Sequence, residues 1–491
     1  MIKRLAFLSL AAAACSSSGS GPSGVSPGTH FGSATPFDLP ALGYDFYTLS
    51  ALNDAVGDGV WTTIDIDGDG KLDLVVTAAY ANEQAGQIVL GGSAAPYWDV
   101  YRGTGTGFAA MPTKWNLPAL GYNFYALIGE NDAAGDGAWT AIDIDGDGKL
   151  DLVVTAAYAD AAQGQVVLGG IAAPYWDVYR GTGTGFAATP EQWALPVAGN
   201  DLYTLTGVDD VDGGAAWSTV DLDGDGKLDF VVTATSDGDN FTVLTGSAGT
   251  PVWDVYRGTG TGFGSAAAIW PLPAIGYNFF ATAGANDAVG DGIWSLLDLD
   301  GAGKPQLVVT AASDGENYTV LGGSGAPHWD VYANTGAGFG SAAARALPAL
   351  GYNFYATSGL NSEAGDGAWS TFDLDGDGYL DLLITAAYAN DQDGQVVLGG
   401  TSAPHWDVYR GAGASFGSAA VAWALPAIGY DFYTTSAFND GSGDGAWSVA
   451  DITGDGRPDL IVTAAWQSEM AGQVVLGGSA APYWDVYPNT P

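Results

Sequence analysis

Cysteine, histidine and basic residues are all scarce in this chain of 491 residues. Its single cysteine excludes a disulfide scaffold and a cysteine-based zinc site. Only 13 lysines and arginines stand against 55 aspartates and glutamates, which gives a formal net charge of −42. Because binding to phosphate groups needs a basic surface, this charge argues against a nucleic-acid partner and against an anionic membrane surface.

Long apolar runs and catalytic motifs are missing as well. Beyond the N-terminus no segment offers 18 uninterrupted apolar residues, so the sequence predicts no spanning helix there. No nucleophile elbow or phosphate-binding loop is visible. Two of the three histidines, His328 and His405, stand where other repeats have tyrosine, which indicates packing. We therefore expect a protein that is not an enzyme.

The first 29 residues are typical of a secretion signal followed by a tether. Lys3 and Arg4 precede an apolar run, residues 5–14, which ends in Ala-Ala-Ala-Cys at residue 15. This ending resembles the lipobox of bacterial lipoproteins, in which Cys15 is lipidated; the alternative is ordinary cleavage before an incidental Cys15. Residues 16–29 are rich in serine and glycine and favour a flexible linker. The resemblance implies a lipid anchor in the bacterial envelope as the only membrane contact, or a secreted protein.

The remaining residues, 30–491, contain six repeats of about 77 residues. The tetrapeptide Trp-Asp-Val-Tyr marks each repeat and begins at residues 98, 176, 253, 329, 406 and 484. Short β-rich runs alternate with glycine-rich turns, and four of these runs in each repeat are typical of strands. Radial repetition of four strands predicts an all-β, six-bladed β-propeller with four-stranded blades. We expect it to be a monomer.

The two ends of the repeat region complement each other. The last repeat ends soon after its Trp-Asp-Val-Tyr and lacks a fourth strand, whereas residues 29–40 match the missing piece. We therefore predict that the N-terminal strand completes the sixth blade. This pairing would close the ring and remove the exposed edges of an open array.

Aspartate supplies 49 of the 55 acidic residues, and much of it lies in one loop of each repeat. In the first repeat Asp65, Asp67, Asp69 and Asp73 occupy loop positions 1, 3, 5 and 9, and Lys71 offers its backbone carbonyl at position 7. Ca²⁺ takes six to eight such oxygens, whereas Mg²⁺ loses its water reluctantly. Carboxylates this close, with no lysine or arginine cluster beside them, would repel one another, which favours a bound cation over a plain turn.

The same pattern recurs in three further repeats, is weaker in the sixth and is broken in the fourth. The equivalent residues of repeats two, three, five and six are Asp143, Asp145, Asp147, Lys149, Asp151, Asp221, Asp223, Asp225, Lys227, Asp229, Asp373, Asp375, Asp377, Tyr379, Asp381, Asp451, Asp455, Arg457 and Asp459. Thr453 replaces one carboxylate of the sixth loop. In the fourth loop Ala302 and Gln306 replace two ligands, so we predict that this loop is empty. The chain should therefore bind about four to five Ca²⁺ ions.

The repeats resemble the FG-GAP/VCBS family, which includes the propellers of integrin α subunits. The Phe-Gly pair recurs at residues 31–32, 263–264, 339–340 and 416–417, and Phe108 and Phe186 hold the same place before alanine. The resemblance implies calcium loops that end in an aspartate at position 9. Six blades are fewer than the seven of integrin propellers, and repeats of about 77 residues are long for the family.

Two long segments of each repeat are expected on the face opposite the acidic loops. They carry a Gly-Tyr-Asn/Asp-Phe motif and an Asn-Asp-x-x-Gly-Asp-Gly motif. Aromatic rings beside Asn and Asp side chains are typical of sugar sites. The candidate ligand contacts are Asn53, Asp54, Asp58, Asn131, Asp132, Asp136, Asn439, Asp440 and Asp444. The alternative is that the aromatic residues only pack the long loops onto the blades.

These features predict a calcium-binding propeller at the cell surface, or secreted, that acts as a binding and adhesion module. Carbohydrate is the leading ligand, by analogy with lectins of this fold. The alternative is a scaffold for protein partners in the envelope, and a third reading is a polysaccharide-degrading enzyme. The repeat symmetry offers no uniquely placed carboxylate pair for such catalysis, which is the reason for ranking it last.

Overall fold

The computed structural model describes most of the repeat region. The described residues are 30–52, 57–131, 133, 135–197, 199–361, 365–390, 394–413, 415–438, 443–469 and 471–490. The predicted signal and linker, with Cys15, lie outside them. No helix in this part of the chain is both long and apolar enough to cross a bilayer. One 3₁₀ turn, Ser247–Gly249, interrupts an otherwise all-β structure.

The strands form one large antiparallel sheet per repeat, which confirms the predicted six-bladed propeller. After β1 (Thr35–Asp38), blade one contains β2 (Ser50–Leu52), β3 (Gly59–Ile64), β4 (Asp73–Asn82), β5 (Gly86–Val89), β6 (Tyr97–Tyr101) and β7 (Thr113–Asn116). Blade two contains β8 (Ile128–Glu130), β9 (Gly137–Ile142), β10 (Asp151–Asp160), β11 (Gly164–Val167), β12 (Tyr175–Tyr179) and β13 (Glu191–Ala194). Blade three contains β14 (Gly207–Val208), β15 (Asp212–Val220), β16 (Asp229–Asp237), β17 (Phe241–Thr245), β18 (Pro251–Tyr256) and β19 (Ala268–Pro271).

The second half of the ring repeats this arrangement. Blade four contains β20 (Gly284–Ala285), β21 (Gly292–Leu297), β22 (Gln306–Ser313), β23 (Tyr318–Val320), β24 (His328–Asn334) and β25 (Phe339–Ala346). Blade five contains β26 (Gly359–Leu360), β27 (Gly367–Phe372), β28 (Asp381–Asn390), β29 (Gly394–Val397), β30 (His405–Tyr409), the small ribbon β31 (Gly411–Ala412) and β32 (Ser415–Phe416), and β33 (Val421–Ala424). Blade six contains β34 (Ser436–Phe438), β35 (Gly445–Ala450), β36 (Asp459–Ser468), β37 (Gly472–Val475) and β38 (Tyr483–Tyr487).

All four predicted strands of each repeat are present, and two short strands are added to them. In blade two the order across the sheet is β8-β9-β10-β12-β13, and β11 pairs with the far half of β10. The apolar run at the start of β10 is buried on both faces, as a continuous β-branched run predicts. The added strand β8 places Gly129 opposite Trp139, where a Cβ would lie 2.2 Å from the indole. β8 and its equivalents in the other blades are only two or three residues long and carry no alternating pattern, so sequence analysis missed these edge strands.

The N-terminal strand completes the sixth blade, as predicted. β1 pairs antiparallel with β38, with Phe37 opposite Trp484. Blade six then joins blade one by the same type of bond that joins other neighbouring blades. The Trp98 indole donates to the Phe124 carbonyl at 2.9 Å between blades one and two, and the Trp484 indole donates to the Phe46 carbonyl at 2.7 Å across the closure.

The apolar core is divided into six clusters, one between each pair of neighbouring blades. The cluster at the closure combines Phe37 and Trp61 with Ile452 and Trp484. The tryptophans of the repeats are buried, except for the partly exposed Trp466. Truncating one such side chain to alanine typically costs about 3–5 kcal/mol. The blades therefore form a rigid frame that holds the loops of both faces.

Candidate metal loops and the long-loop face

Each acidic loop folds around the carboxylate of its first aspartate. Between β3 and β4, the Asp65 side chain accepts hydrogen bonds from the backbone N–H groups of Gly68, Asp69 and Gly70 at 2.8, 3.1 and 2.9 Å. Gly68 and Gly70 have φ values of 78° and 86°. Glycine adopts this left-handed conformation without strain, which explains the Asp-Gly alternation of the loop.

The ninth position holds a buried carboxylate that ties the loop to the next strand. The Asp73 side chain is fully buried, and its Oδ1 accepts a hydrogen bond from Gly103 N at 2.7 Å. Burial raises the pKa of Asp73 to about 7. In the equivalent positions, burial raises the pKa of Asp151 to about 7, of Asp229 to about 6, of Asp381 to about 8 and of Asp459 to about 6. Asp73, Asp151 and Asp381 would therefore be partly protonated at neutral pH, and nearby positive charge would favour their ionised form.

Four of the loops bring three carboxylates together with ligand atoms within 4.8 Å of one another. The groups are Asp65, Asp67 and Asp73; Asp143, Asp145 and Asp151; Asp221, Asp223 and Asp225; and Asp373, Asp375 and Asp381. Two buried oxygens, Oδ1 of Asp223 and Oδ1 of Asp375, accept no hydrogen bond from the described residues. Because buried acceptors normally have a partner, these unpaired oxygens fit a hard cation with oxygen ligands.

The position-5 aspartates of the first, second and fifth loops lie outside these groups, as does Asp229 at position 9 of the third loop. Asp69 and Asp147 are exposed and make ion pairs with the lysine two residues later, Lys71 at 3.4 Å and Lys149 at 2.9 Å. Their predicted role as ligands, like that of the position-7 residues, stays a prediction.

The fourth loop is closed by an amide in place of a cation. Gln306 stands at the ninth position, where its Oε1 accepts from Leu299 N at 2.8 Å and its Nε2 donates to Asp300 Oδ1 at 2.7 Å. One side chain thereby takes over the backbone bond of the missing aspartate and stabilises the carboxylate of Asp300 with a hydrogen bond. This geometry supports the prediction that the fourth loop binds no ion.

The sixth loop differs from the complete ones at position 3. There Thr453 replaces a carboxylate, and its backbone N–H donates to Asp459 Oδ2 at 3.2 Å. Asp451, Asp455 and Asp459 are not among the groups of three that the described residues form. The weaker site expected here stays a prediction.

Arginine side chains reach the complete loops, and sequence analysis missed them. Each follows Trp-Asp-Val-Tyr and pairs with the position-3 aspartate of its own blade. Arg102 lies 2.6 Å from Asp67 and Arg410 lies 3.4 Å from Asp375. The other two pairs are Arg180 with Asp145 and Arg257 with Asp223. The assumption that the carboxylates have no basic neighbour was therefore wrong, because the strand that carries the arginine lies beside the loop in the sheet.

A signal for these arginines was present in the sequence. Arginine follows Trp-Asp-Val-Tyr in repeats one, two, three and five, which are the repeats with complete loops. Ala333 and Pro488 take its place in repeats four and six. The arginine is thus present in the repeats whose loops have the full set of aspartates and absent from the two repeats whose loops have fewer.

The acidic loops of neighbouring blades touch one another. A Cβ added at Gly68 would lie 2.4 Å from the carbonyl oxygen of Gly148, and one at Gly146 would lie 2.3 Å from that of Gly226. Backbone bonds also link neighbouring loops, as from Leu150 N to Ile66 O at 3.3 Å. The loops therefore form a continuous acidic ring on one face of the propeller.

On the opposite face, the predicted ligand aspartates are buried within their own loops. Asp58, Asp136 and Asp444 are each less than a tenth exposed. Asp136 accepts hydrogen bonds from Asn123 N and Gly137 N, both at 3.1 Å, and from the Asn131 side chain at 2.7 Å. These contacts hold the loop in place, and contact with a ligand stays a prediction for these four residues. The other candidates, Asn53, Asp54, Asp132, Asn439 and Asp440, lie outside the described residues.

The aromatic residues of the Gly-Tyr-Asn/Asp-Phe motif pack the long segments onto the blades. Phe124 is fully buried with its ring 5.0 Å from that of Trp139, and the Tyr122 hydroxyl donates to Ala156 O at 3.2 Å. The side chain of Asn123 accepts from Val89 N in the preceding blade at 2.7 Å. Packing, the alternative to a sugar site, therefore accounts for this motif.

Other aromatic side chains of the long-loop face are partly exposed. They stand near the tips of the hairpins that pair β4 with β5 and its equivalents. The four residues are Tyr80, Tyr158, Tyr388 and Trp466. Each lies opposite a glutamine, as Tyr158 lies opposite Gln165. Blades three and four have Ser236 and Ser313 at this place.

The edge strands β2, β26 and β34 border one cavity. Its volume is about 450 Å³, and Ser50, Leu360, Tyr433, Ser436 and Ser448 contribute to its wall. Because these residues come from blades one, five and six, the cavity lies on the inner side of the ring. Hydroxyl groups and aliphatic side chains therefore meet near the axis.

Comparison with known proteins identifies the repeat and finds distant structural likenesses. No curated protein sequence matches the chain. A chain of the Photorhabdus luminescens Tc holotoxin pore, with the mutation TccC3-D651A, matches with a TM-score of 0.44 and 16% identity, over 94% of this chain and 15% of that chain. An Agrocybe aegerita lectin that recognises non-reducing terminal N-acetylglucosamine matches with a TM-score of 0.37 and 16% identity, over 95% of this chain and 91% of that chain.

The model of the FG-GAP repeat matches residues 62–90, 140–168 and 370–398. Each match begins in the strand before an acidic loop and ends after the hairpin that follows it, in blades one, two and five. These are three of the four blades in which three carboxylates meet. The chain is therefore a six-bladed β-propeller that contains FG-GAP repeats.

Proposed function

We propose that this propeller is a calcium-stabilised binding module that recognises carbohydrate through its long-loop face. The observation that supports the calcium part is the recurrence of one carboxylate group at the same place in four blades. In the first loop four aspartates stand against Lys71 and Arg102. This leaves two negative charges, which one divalent cation would balance. When bound, Ca²⁺ would supply positive charge and fix the loop, with Asp65, Asp67 and Asp73 holding it.

The carbohydrate part rests on the partly exposed aromatic side chains of four hairpins. An aromatic ring offers a flat apolar surface to the C–H face of a sugar, and neighbouring polar side chains offer hydrogen bonds to its hydroxyls. Tyr158 is followed two residues later by the exposed Asp160, whereas Gln165, opposite the ring, is buried and donates to the Asn131 carbonyl. Four such hairpins on one rigid ring would give repeated, equivalent contacts.

A glycan and polysaccharide array tests this proposal. The protein used is residues 16–491, probed in calcium and in chelator. We expect binding to one class of sugar, lost in chelator and weakened at least tenfold by Tyr158→Ala combined with Tyr388→Ala. The matched control is Tyr318→Ala, which removes a partly exposed hairpin tyrosine from blade four. A folded protein that binds no glycan on the array would contradict the carbohydrate proposal.

A protein partner is the second candidate, because several aliphatic side chains are exposed on the edge strands near the axis. Leu52, Ile128 and Leu360 are 59, 62 and 50% exposed. Exposed aliphatic clusters commonly mark contacts with proteins. Agglutination separates the two candidates: a lectin with repeated sites precipitates polymeric glycans, whereas a scaffold binds a single partner and loses it on Leu52→Ser with Leu360→Ser.

Anchoring and the lack of catalysis are further parts of the proposal. Cys15 would carry a lipid in the bacterial envelope, so Cys15→Ser should release the protein from membranes and abolish the incorporation of labelled palmitate.

We propose no enzymatic role. Release of reducing ends or unsaturated products from a bound polysaccharide would contradict this.

A further inference from the structure

Three arginines connect a complete acidic loop to the neighbouring blade. Arg180 pairs through Nη1 with Asp145 of its own blade, and its Nη2 donates to the Gly260 carbonyl in the turn after β18. Arg102 makes the same two contacts, with Asp67 and with Gly183 O of blade two. Each guanidinium thus bridges the position-3 carboxylate and the next blade.

The same geometry occurs at the next interface. Arg257 pairs with Asp223 and donates through Nη2 to Gly336 O of blade four at 2.9 Å. The planar guanidinium suits this task, because its several N–H groups can serve two acceptors at once. Lysine could supply the charge but not both directed bonds.

Blade four retains one of these contacts without the other. Ala333 replaces the arginine, and Arg345 from β25 donates to Gly413 O of blade five at 2.7 Å and to Ser415 O at 3.3 Å. Gly413 is the turn glycine that corresponds to Gly183 and Gly260 in the repeat. Within the described residues, Arg345 makes no ion pair with an acidic loop. Its guanidinium stacks instead on Phe416, 4.0 Å from the ring centre.

The two contacts therefore have separate requirements. An arginine reaches the turn of the next blade at all four of these interfaces, including the one that leaves the incomplete fourth loop. Among the described residues, the ion pair between such an arginine and the position-3 aspartate occurs only where the loop has its full set of carboxylates. If the arginine only linked two blades, its presence would not need to depend on how many carboxylates the loop has.

We propose that Arg102, Arg180 and Arg257 are positioning residues for the cation loops. Each holds the position-3 carboxylate in its binding orientation, offsets part of the loop charge and fixes the loop to the next blade. The cation-free loop thereby keeps its shape and stays docked until a cation binds. This inference rests on the calcium part of the proposed function.

The test compares Arg180→Gln with Arg345→Gln by thermal unfolding in calcium and in chelator. Arg180→Gln should lower the melting temperature at least twice as much in chelator as in calcium, because the bound cation replaces the lost positive charge. Arg345→Gln should show a smaller difference between the two conditions, because among the described residues Arg345 has no ion pair with a position-3 aspartate and only the charges of Asp300 and Asp381 act on it. Arg180→Lys keeps the charge and should restore part of the loss in chelator.

Two results would overturn the inference. In the first, Arg180→Gln lowers the melting temperature equally in calcium and in chelator, although calcium clearly stabilises the wild type. This result would exclude the role of the arginine and leave the proposed function intact. The second is a wild type without any calcium response, which removes the proposed function and this inference together. Arg102→Gln repeats the test in blade one, and Arg345→Lys serves as the control where the glutamine variant does not fold.

Discussion

The fourth acidic loop should gain a cation site when its two replaced ligands are restored. The variant combines Ala302→Asp with Gln306→Asp. Gln306 already accepts the Leu299 N–H at 2.8 Å, as the position-9 aspartate does in complete loops, so the backbone is prepared for the exchange. The loop would then carry four aspartates, and Asp300 would lose the amide that now donates to it at 2.7 Å.

The expected effect has opposite signs with and without calcium. In chelator, carboxylates without a partner in a partly buried loop should cost about 1–3 kcal/mol. In calcium at 100 times the dissociation constant, the new site should contribute about 2.7 kcal/mol. A chain of 491 residues has an unfolding entropy of about 1 kcal/mol/K. The melting temperature should therefore fall by about 1–3 °C in chelator, and calcium should raise it by about 3 °C more than it raises the wild type.

Calorimetric titration and thermal unfolding measure this effect. Titration should find one additional bound ion per chain. The reciprocal variant in blade two, Asp147→Ala with Asp151→Gln, copies the fourth loop and should lose one ion. An unchanged number of ions in both variants, with equal destabilisation in calcium and in chelator, would refute the ligand assignment.

Three further predictions concern the loops and the closure. Gly146→Ala should destabilise the protein by about 2–5 kcal/mol and Gly148→Ala by about 1–2 kcal/mol. Both glycines have positive φ, but only a Cβ at residue 146 meets a carbonyl at 2.3 Å, so equal denaturation midpoints would contradict the loop contact. Burial raises the pKa of Asp151 to about 7, so the protonated carboxyl favours the folded protein in the absence of a cation. This contribution to the free energy of unfolding is lost as the pH rises through 7. Thermal unfolding should therefore show calcium stabilising more at pH 8 than at pH 5, and the opposite order would exclude this linkage. Phe37→Ala should cost about 3–5 kcal/mol in urea unfolding, because Phe37 is buried at the closure, and a neutral result would speak against closure by β1.

Repetition made most of the fold predictable from the sequence. Six copies of the same strand pattern indicated six blades, and the incomplete last repeat indicated the pairing of β1 with β38, which the register of Phe37 and Trp484 confirms. The acidic loops were equally visible, because oxygen ligands at alternate positions leave a local pattern. Features that depend on a few neighbouring residues, such as the ligand spacing of a loop, can be recognised from the sequence alone.

Contacts between distant residues were not predictable in the same way. The pairing of Arg102 with Asp67 depends on which strands lie side by side, and the two residues are far apart in the chain. The burial of Asp136 depends on how its loop folds back onto Asn123, so motif chemistry alone suggested an exposed ligand contact. The short strand β8 pairs with β9 through only three residues, and the close contact of Gly129 with the Trp139 indole can be seen only in the folded sheet.

The number of calcium ions bound per chain tests the central claim most directly. Metal analysis after equilibrium dialysis of residues 16–491 should find about four tightly bound ions, one for each group of three carboxylates. Asp67→Asn, Asp145→Asn and Asp375→Asn should each remove one of them. A protein that stays folded and retains no calcium, or that keeps all its ions in these variants, would contradict the account.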